Sequence, residues 1–142
     1  MYSLRKSKKG FTLIELMVVV AIIGVLALLG LRLYSGQQEK AKNAIIKANV
    51  GTIQTLIQAN LADMTNAQVA ALWTVAGLIT SSGIFNPVTG ALQAAAPANT
   101  GAAAAGEVWV TVPAGAVTSF TINGRNAVDG GDVYTTSLSA RK

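Results

Sequence analysis

Hydrophobic residues follow three successive patterns along the chain. From Phe11 to Leu31 the sequence FTLIELMVVVAIIGVLALLGL is almost uninterrupted, twenty-one residues with a single charge, Glu15. A helix of that length spans about 30 Å, the thickness of a bilayer core. Further on, Ile46, Val50, Ile53, Ile57, Leu61 and Met64 recur at spacings of three and four, while Lys40, Lys42, Lys47, Gln54, Gln58 and Asp63 fall on other faces. That is one apolar stripe on a helix. The run and the stripe together predict one helix from Phe11 to about Met64, roughly 80 Å long at 1.5 Å per residue. Its halves are a membrane-spanning segment, 11–31, and an amphipathic segment, 32–64, whose stripe docks the rest of the chain.

The remaining residues, 65–142, are too few to build a large core of their own, so they must borrow the helix's apolar face. Thr65-Asn-Ala-Gln68 reads as a capping box opening a short helix to about Leu78, with Val69, Leu72, Trp73 and Ala76 inward. Trp73 belongs to the core on this reading. Residues 81–106 carry turn signals, Asn86-Pro87-Val88-Thr89-Gly90 and then an Ala-rich stretch broken by Pro97 and Gly101. They predict an irregular surface loop. Thr89 and Thr100 in it are candidate O-glycan carriers, and no Asn-x-Ser/Thr sequon occurs. Over 107–139 the pattern changes to alternation. Val108, Val110 and Val112 share a face, Pro113-Ala-Gly115 turns the chain, Phe120 and Ile122 share a face within 118–123, and 133–139 supplies a third strand. The expected fold is α+β: a long N-terminal helix packed against an antiparallel sheet of three or four strands.

Charge sharpens this layout. Of eleven Lys and Arg, four (Arg5, Lys6, Lys8 and Lys9) precede the apolar run; beyond Gly10 seven cations face six acids. The basic character therefore resides in the first ten residues, which weakens any case for a nucleic-acid surface on the remainder. Cations before an apolar span hold that end in the cytoplasm and send the other end out. The chain has no Cys and no His, so disulfides, thiolate zinc sites, Cys nucleophiles and His-based triads are excluded. With no nucleophile–base pair or metal cluster, neither enzymatic chemistry nor a cofactor is expected. Asp129-Gly-Gly-Asp132 offers two oxygen ligands to Ca²⁺, short of a complete site, and a polar hairpin loop is the simpler account. Only Phe11 and Tyr34 of the eight aromatics lie on the long helix, which gives no stacked path for electrons.

Glu15 is the residue a plain membrane anchor does not explain. A carboxylate in an apolar helix costs about 2–3 kcal/mol at the bilayer centre, less at its edge. A secretory signal peptide fits no better, since the run is long and lacks a small-x-small cleavage site. The segment Lys8-Lys9-Gly10-Phe11-Thr12-Leu13-Ile14-Glu15-Leu16, with the apolar residues to Ala27, resembles the processing site of type IV prepilins and the related pseudopilins.

The resemblance implies a pilin-like fold and a leader, residues 1–10, removed by a prepilin peptidase between Gly10 and Phe11. It implies N-methylation of the new terminus at Phe11, and pairing of Glu15 with the Phe11 amine of a neighbouring copy during assembly. The leader charges Arg5, Lys6, Lys8 and Lys9 would stay on the cytoplasmic side. The implied product is a homo-oligomeric helical filament, a type IV pilus serving motility, adhesion or DNA uptake. Its partners are the peptidase, the inner-membrane pilus assembly machinery, membrane lipid before assembly, and nucleic acid only as uptake cargo. The precursor would be single-pass in the cytoplasmic membrane and the product extracellular. Two alternatives stand beside this: a pseudopilin of a type II secretion system or competence pilus, and a single-pass membrane binding protein that never polymerises. The family usually carries Pro near Arg32, and this chain does not; Gly24 and Gly30 are the candidates for loosening the helix in a filament, or for close helix packing. Arg32 is an interface anchor or an inter-subunit partner of Glu39.

Overall fold

A computed structural model of the protein describes residues 10–74, 77–93, 104–112, 119–134, 136 and 138–141. The chain divides into two compact units, with the boundary between Gln37 and Gln38. Outside the described residues lie the four leader cations, Ala76, Thr100, the Ala-rich stretch from 94 to 103, and the turn expected at 113–115.

Helix α1 runs Leu13–Asp63, within two residues of the expected ends. In the first unit its apolar residues are all exposed. Its most apolar 18-residue window has a mean hydropathy of 2.8 and is not buried at all, so the helix is long and apolar enough to cross a membrane. In the second unit the stripe is the core. Ile46, Val50, Ile53, Ile57 and Leu61 are the five buried residues of α1, and Met64 packs partly against them. Each such side chain taken fully from water contributes about 1.5–3 kcal/mol.

Helix α2, Asn66–Thr74, opens on the expected capping box. Thr65 N–H donates to Gln68 Oε1 (3.0 Å), and Gln68 N–H donates back to Thr65 Oγ1 (3.4 Å). Residues 75–76, inside the short helix expected to Leu78, lie outside the described residues, and helix α3 covers Gly77–Ser81. Val69, Trp73 and Ile79 deliver their side chains to the core.

Three strands form an antiparallel sheet in the order β1-β2-β3: β1 Val108–Thr111, β2 Phe120–Gly124 and β3 Leu138–Ala140. Val108 pairs with Gly124 and Thr121 with Ser139. Val108, Val110, Phe120 and Ile122 are buried against the stripe, as their alternation predicts. Gly124 is what lets helix and sheet meet: a Cβ there would collide with Ile46 Cγ2 and stand 3.1 Å from Val50 Cγ2.

Two expectations need correction. The third strand is shorter and later than 133–139. After Gly124 the chain turns back through an Arg125–Asp132 bridge, and Val133 N–H donates to Gly124 O. Tyr134 is then held by a side chain, not a strand. Its N–H donates to Asn123 Oδ1 (3.2 Å) and its carbonyl accepts from Asn123 Nδ2 (3.1 Å). The second correction concerns 81–106, whose described part is ordered where an irregular loop was expected. Phe85 and Leu92 form a bridge around the Asn-Pro-Val-Thr-Gly turn. Asn86 is buried, accepts from the Val88 and Thr89 amides, and donates to Ala105 O. Gly106 closes on it with φ +84°, where a Cβ would strike Asn86 Oδ1. A side-chain amide, silent in a hydropathy pattern, sets this turn.

Without cysteine the head is closed by packing and by amides reaching from α1. Asn49 Nδ2 donates to Phe85 O (2.9 Å), Gln54 Nε2 to Ser139 O (3.0 Å), and Asn43 Oδ1 accepts from Ala127 N–H (3.0 Å). Lys47 Nζ lies 5.7 Å from the centre of the Tyr134 ring, a cation–π contact.

Candidate assembly site

The start of α1 brings together Gly10, Phe11 and Glu15 of the residues singled out from the sequence. Gly10 is exposed and lies outside the helix, as does Phe11, which is 86% exposed. An accessible segment outside regular structure is open to a peptidase. Gly10, with no Cβ, lets the backbone approach an active site closely.

Thr12 is the N-cap. Its N–H donates to Glu15 Oε2 (2.9 Å), its hydroxyl donates to the same oxygen (2.7 Å), and Glu15 N–H donates to Thr12 Oγ1 (3.3 Å). Thr12-Leu-Ile-Glu15 is therefore a capping box, the same device as Thr65-Asn-Ala-Gln68. The second box was legible in the sequence and the first was missed, because the one charge in an apolar run draws attention to itself and not to its spacing from Thr12. The signal was there: a hydroxyl residue three positions before a carboxylate.

The geometry gives Glu15 a task within its own chain. The first turn of a helix has orphan N–H groups, and a carboxylate beside them meets both the donors and the positive end of the helix dipole. Among the described residues both donors go to Oε2, so Oε1 remains for a donor from outside. The site joins two properties: a charge held in place at the start of a helix, and a long unburied apolar surface following it.

That surface is far larger than an isolated monomer in water keeps exposed. Gly24 and Gly30 sit on it within unbroken helix, and a Cβ at either would meet nothing within 4 Å. Among the described residues nothing requires glycine there. Arg32 and Glu39 are both exposed.

The acidic turn of the head is occupied by its own chain. Asp132 Oδ1 stands 3.5 Å from Arg125 Nη1, and Asp129 Oδ1 accepts from Gly131 N–H (2.9 Å). Arg125 Nη1 also donates to Gly130 O (2.6 Å). Among the described residues no group of three or more potential metal ligands forms. Asp129 and Asp132 thus lie in a turn closed by the Arg125–Asp132 bridge.

The cap makes a prediction of its own. Thr12→Val keeps the shape and removes the hydroxyl, so the first turn of α1 should lose about 0.5–2 kcal/mol. Hydrogen exchange on the full chain in detergent should quicken at the amides of residues 13–16 and stay unchanged from residue 20 onward. Unaltered exchange at Glu15 and Leu16 would contradict the capping role.

Comparison with known proteins places this geometry among relatives. Residues 5–31 match the family model described as the prokaryotic N-terminal methylation motif, and Gly10, Phe11, Thr12 and Glu15 all lie within that match. The chain is 36% identical over 81 residues to a type IV major fimbrial protein, FimA, of Dichelobacter nodosus, covering 56% of this chain and 51% of that protein. It is 46% identical over 55 residues to fimbrial protein EcpB of Eikenella corrodens, covering 39% of this chain and 35% of that one. A type IV major alpha-pilin of Moraxella bovis is 40% identical over 55 residues, with the same coverage of 39% and 35%. The chain thus spans about half the length, or less, of the curated relatives it matches. No solved structure matches it.

Proposed function

We propose that this chain, a type IV pilin-family protein by its N-terminal motif and its fimbrial relatives, is a non-enzymatic structural subunit of a type IV pilus. The observation that carries the reading is the single carboxylate of Glu15, four residues after Phe11, on the otherwise uncharged and unburied apolar stretch of α1 from Leu13 to Leu31. The precursor sits in the cytoplasmic membrane with Arg5, Lys6, Lys8 and Lys9 inside. A prepilin peptidase cuts after Gly10 and the Phe11 amine is methylated. The inner-membrane assembly machinery then moves the subunit from lipid into a filament of identical copies, exported to the cell surface for motility, adhesion or DNA uptake.

Electrostatics supplies the mechanism. In lipid a lone carboxylate is unfavourable, and the Thr12 cap supplies only part of what water would. Cleavage creates a cation at Phe11, and the Phe11 amine of one copy meeting Glu15 Oε1 of the next pairs two charges in a medium of low dielectric. Only one axial offset between copies brings the two groups together, so the pair sets register. The apolar faces from Leu13 to Leu31 then exchange lipid for each other. Gly24 and Gly30 serve that half of the helix, either by admitting a close neighbour or by letting the helix loosen in the filament. The fimbrial character of the relatives favours a pilus over a secretion pseudopilus.

Co-expression with a prepilin peptidase tests the processing step. The wild-type chain should shorten by its first ten residues, and Gly10→Val should remain full length because a β-branched side chain obstructs the extended approach. Equal cleavage of both, or cleavage of neither, would count against the reading.

A further inference from the structure

The three-stranded sheet has two outer edges, and the alternation of its ladder fixes which groups face outward. Val133 N–H donates to Gly124 O (2.8 Å), so the polar backbone groups of Gly124 point to the β3 side of β2. Val108 lies opposite Gly124. In an antiparallel pair, facing residues turn their N–H and C=O groups either both toward each other or both away. Val108 therefore turns both groups to the outer edge of β1. By the same alternation Thr121 faces β1, and Ser139, opposite it, turns its carbonyl to the outer edge of β3.

Both positions are taken by glutamine side chains. Gln93, 3% exposed, accepts from Val108 N–H through Oε1 (2.9 Å) and donates to Val108 O through Nε2 (2.5 Å). Its amide reproduces the two bonds that a residue of a further strand would make. Gln93 is itself fixed, since its backbone N–H donates to Ile84 O (3.0 Å). On the far edge Gln54 of α1 donates to Ser139 O (3.0 Å). Open edges are templates for pairing with another chain, and folded proteins blunt them by charge, bulge or cover.

We propose that Gln93 and Gln54 are edge caps that prevent heads of neighbouring copies from pairing strand to strand. Copies crowd together at a membrane before assembly, and edge pairing there would compete with any ordered contact. With the Val108 groups and the Ser139 carbonyl taken, association is left to α1; that last clause rests on the polymerising role proposed above, whereas the caps themselves do not.

The chain has no native cysteine, so single-cysteine cross-linking reads the edge directly. In detergent-solubilised full chain, Thr111→Cys reports contact at β1, and Val128→Cys, on the exposed loop after β2, reports general association. Adding Gln93→Leu should raise intermolecular disulfide formation several-fold at position 111 and leave position 128 unchanged. No rise at 111, or equal rises at both, would overturn the proposal. Should Gln93→Leu lose the head's near-ultraviolet dichroism, the opposite edge decides. Gln54→Leu with Ser139→Cys should then cross-link several-fold faster than Ser139→Cys alone, and equal rates would overturn it. Because cross-linking needs neither cleavage nor filaments, failure here would leave the pilus reading standing, and failure of that reading would leave the caps.

Discussion

Glu15→Ala should reduce the yield of sheared surface filaments at least about tenfold while the chain stays in the membrane. Removing one partner of a buried ion pair costs about 3–5 kcal/mol, because the other charge is left unpaired. At 1.4 kcal/mol per factor of ten this is about two to three and a half orders of magnitude for a single contact, and a filament repeats the contact at every copy. Membrane retention should not suffer, since Ala is less costly in lipid than a carboxylate by about 2–3 kcal/mol. The companion variant Glu15→Gln separates charge from capping. A Gln amide still accepts from the Thr12 donors, as Gln68 does at Thr65, so the first turn should remain formed. Filaments should nevertheless be lost, because a neutral amide pairs poorly with an α-amine. A filament yield near wild type for Glu15→Gln would show that Glu15 acts only through its cap.

Ile53→Ala should produce the largest loss of stability in the head. The side chain is fully buried in the middle of the α1 stripe. Truncation of a buried Ile costs about 2–5 kcal/mol, transfer and cavity terms together. Against a typical stability of about 5–15 kcal/mol this threatens the fold of the second unit. Ile45→Ala is the control, because Ile45 lies on the same helix outside the stripe and is 47% exposed. It should fall within about 0.5 kcal/mol of wild type. Thermal unfolding of the full chain in detergent, followed by the near-ultraviolet dichroism of buried Trp73, checks both. Equal effects at 53 and 45 would mean that the stripe does not carry the head.

The two variants act on different halves of one helix, and those halves were unequally legible in the sequence. The stripe from Ile46 to Leu61 was readable residue by residue, because a helix that covers a sheet with one face leaves a spacing of three and four. Val108, Val110, Phe120 and Ile122 were readable for the same reason at period two. What escaped were contacts made by polar side chains with backbone. Asn86 organises a turn, Asn123 holds Tyr134 where a strand was expected, and Gln93 closes an edge; none alters a hydropathy pattern, and each depends on residues distant in sequence.

At the N-terminus the balance was reversed. Residues Lys8 to Leu16 carry the family resemblance by themselves, and the match over residues 5–31 agrees with it. The local role of Glu15 was the part that went unread, although Thr12 stood at the right spacing. The carboxylate that the assembly account needs for a neighbour is already held by its own helix, with one oxygen left for an outside donor. Its position is set before any partner arrives, which reduces the ordering cost of forming the pair.

The most direct test is the intact mass of the subunit in sheared surface filaments. The subunit should begin at Phe11 and be heavier than the unmodified cleavage product by one N-methylation. Filaments built from a chain that still begins at Met1 would contradict it.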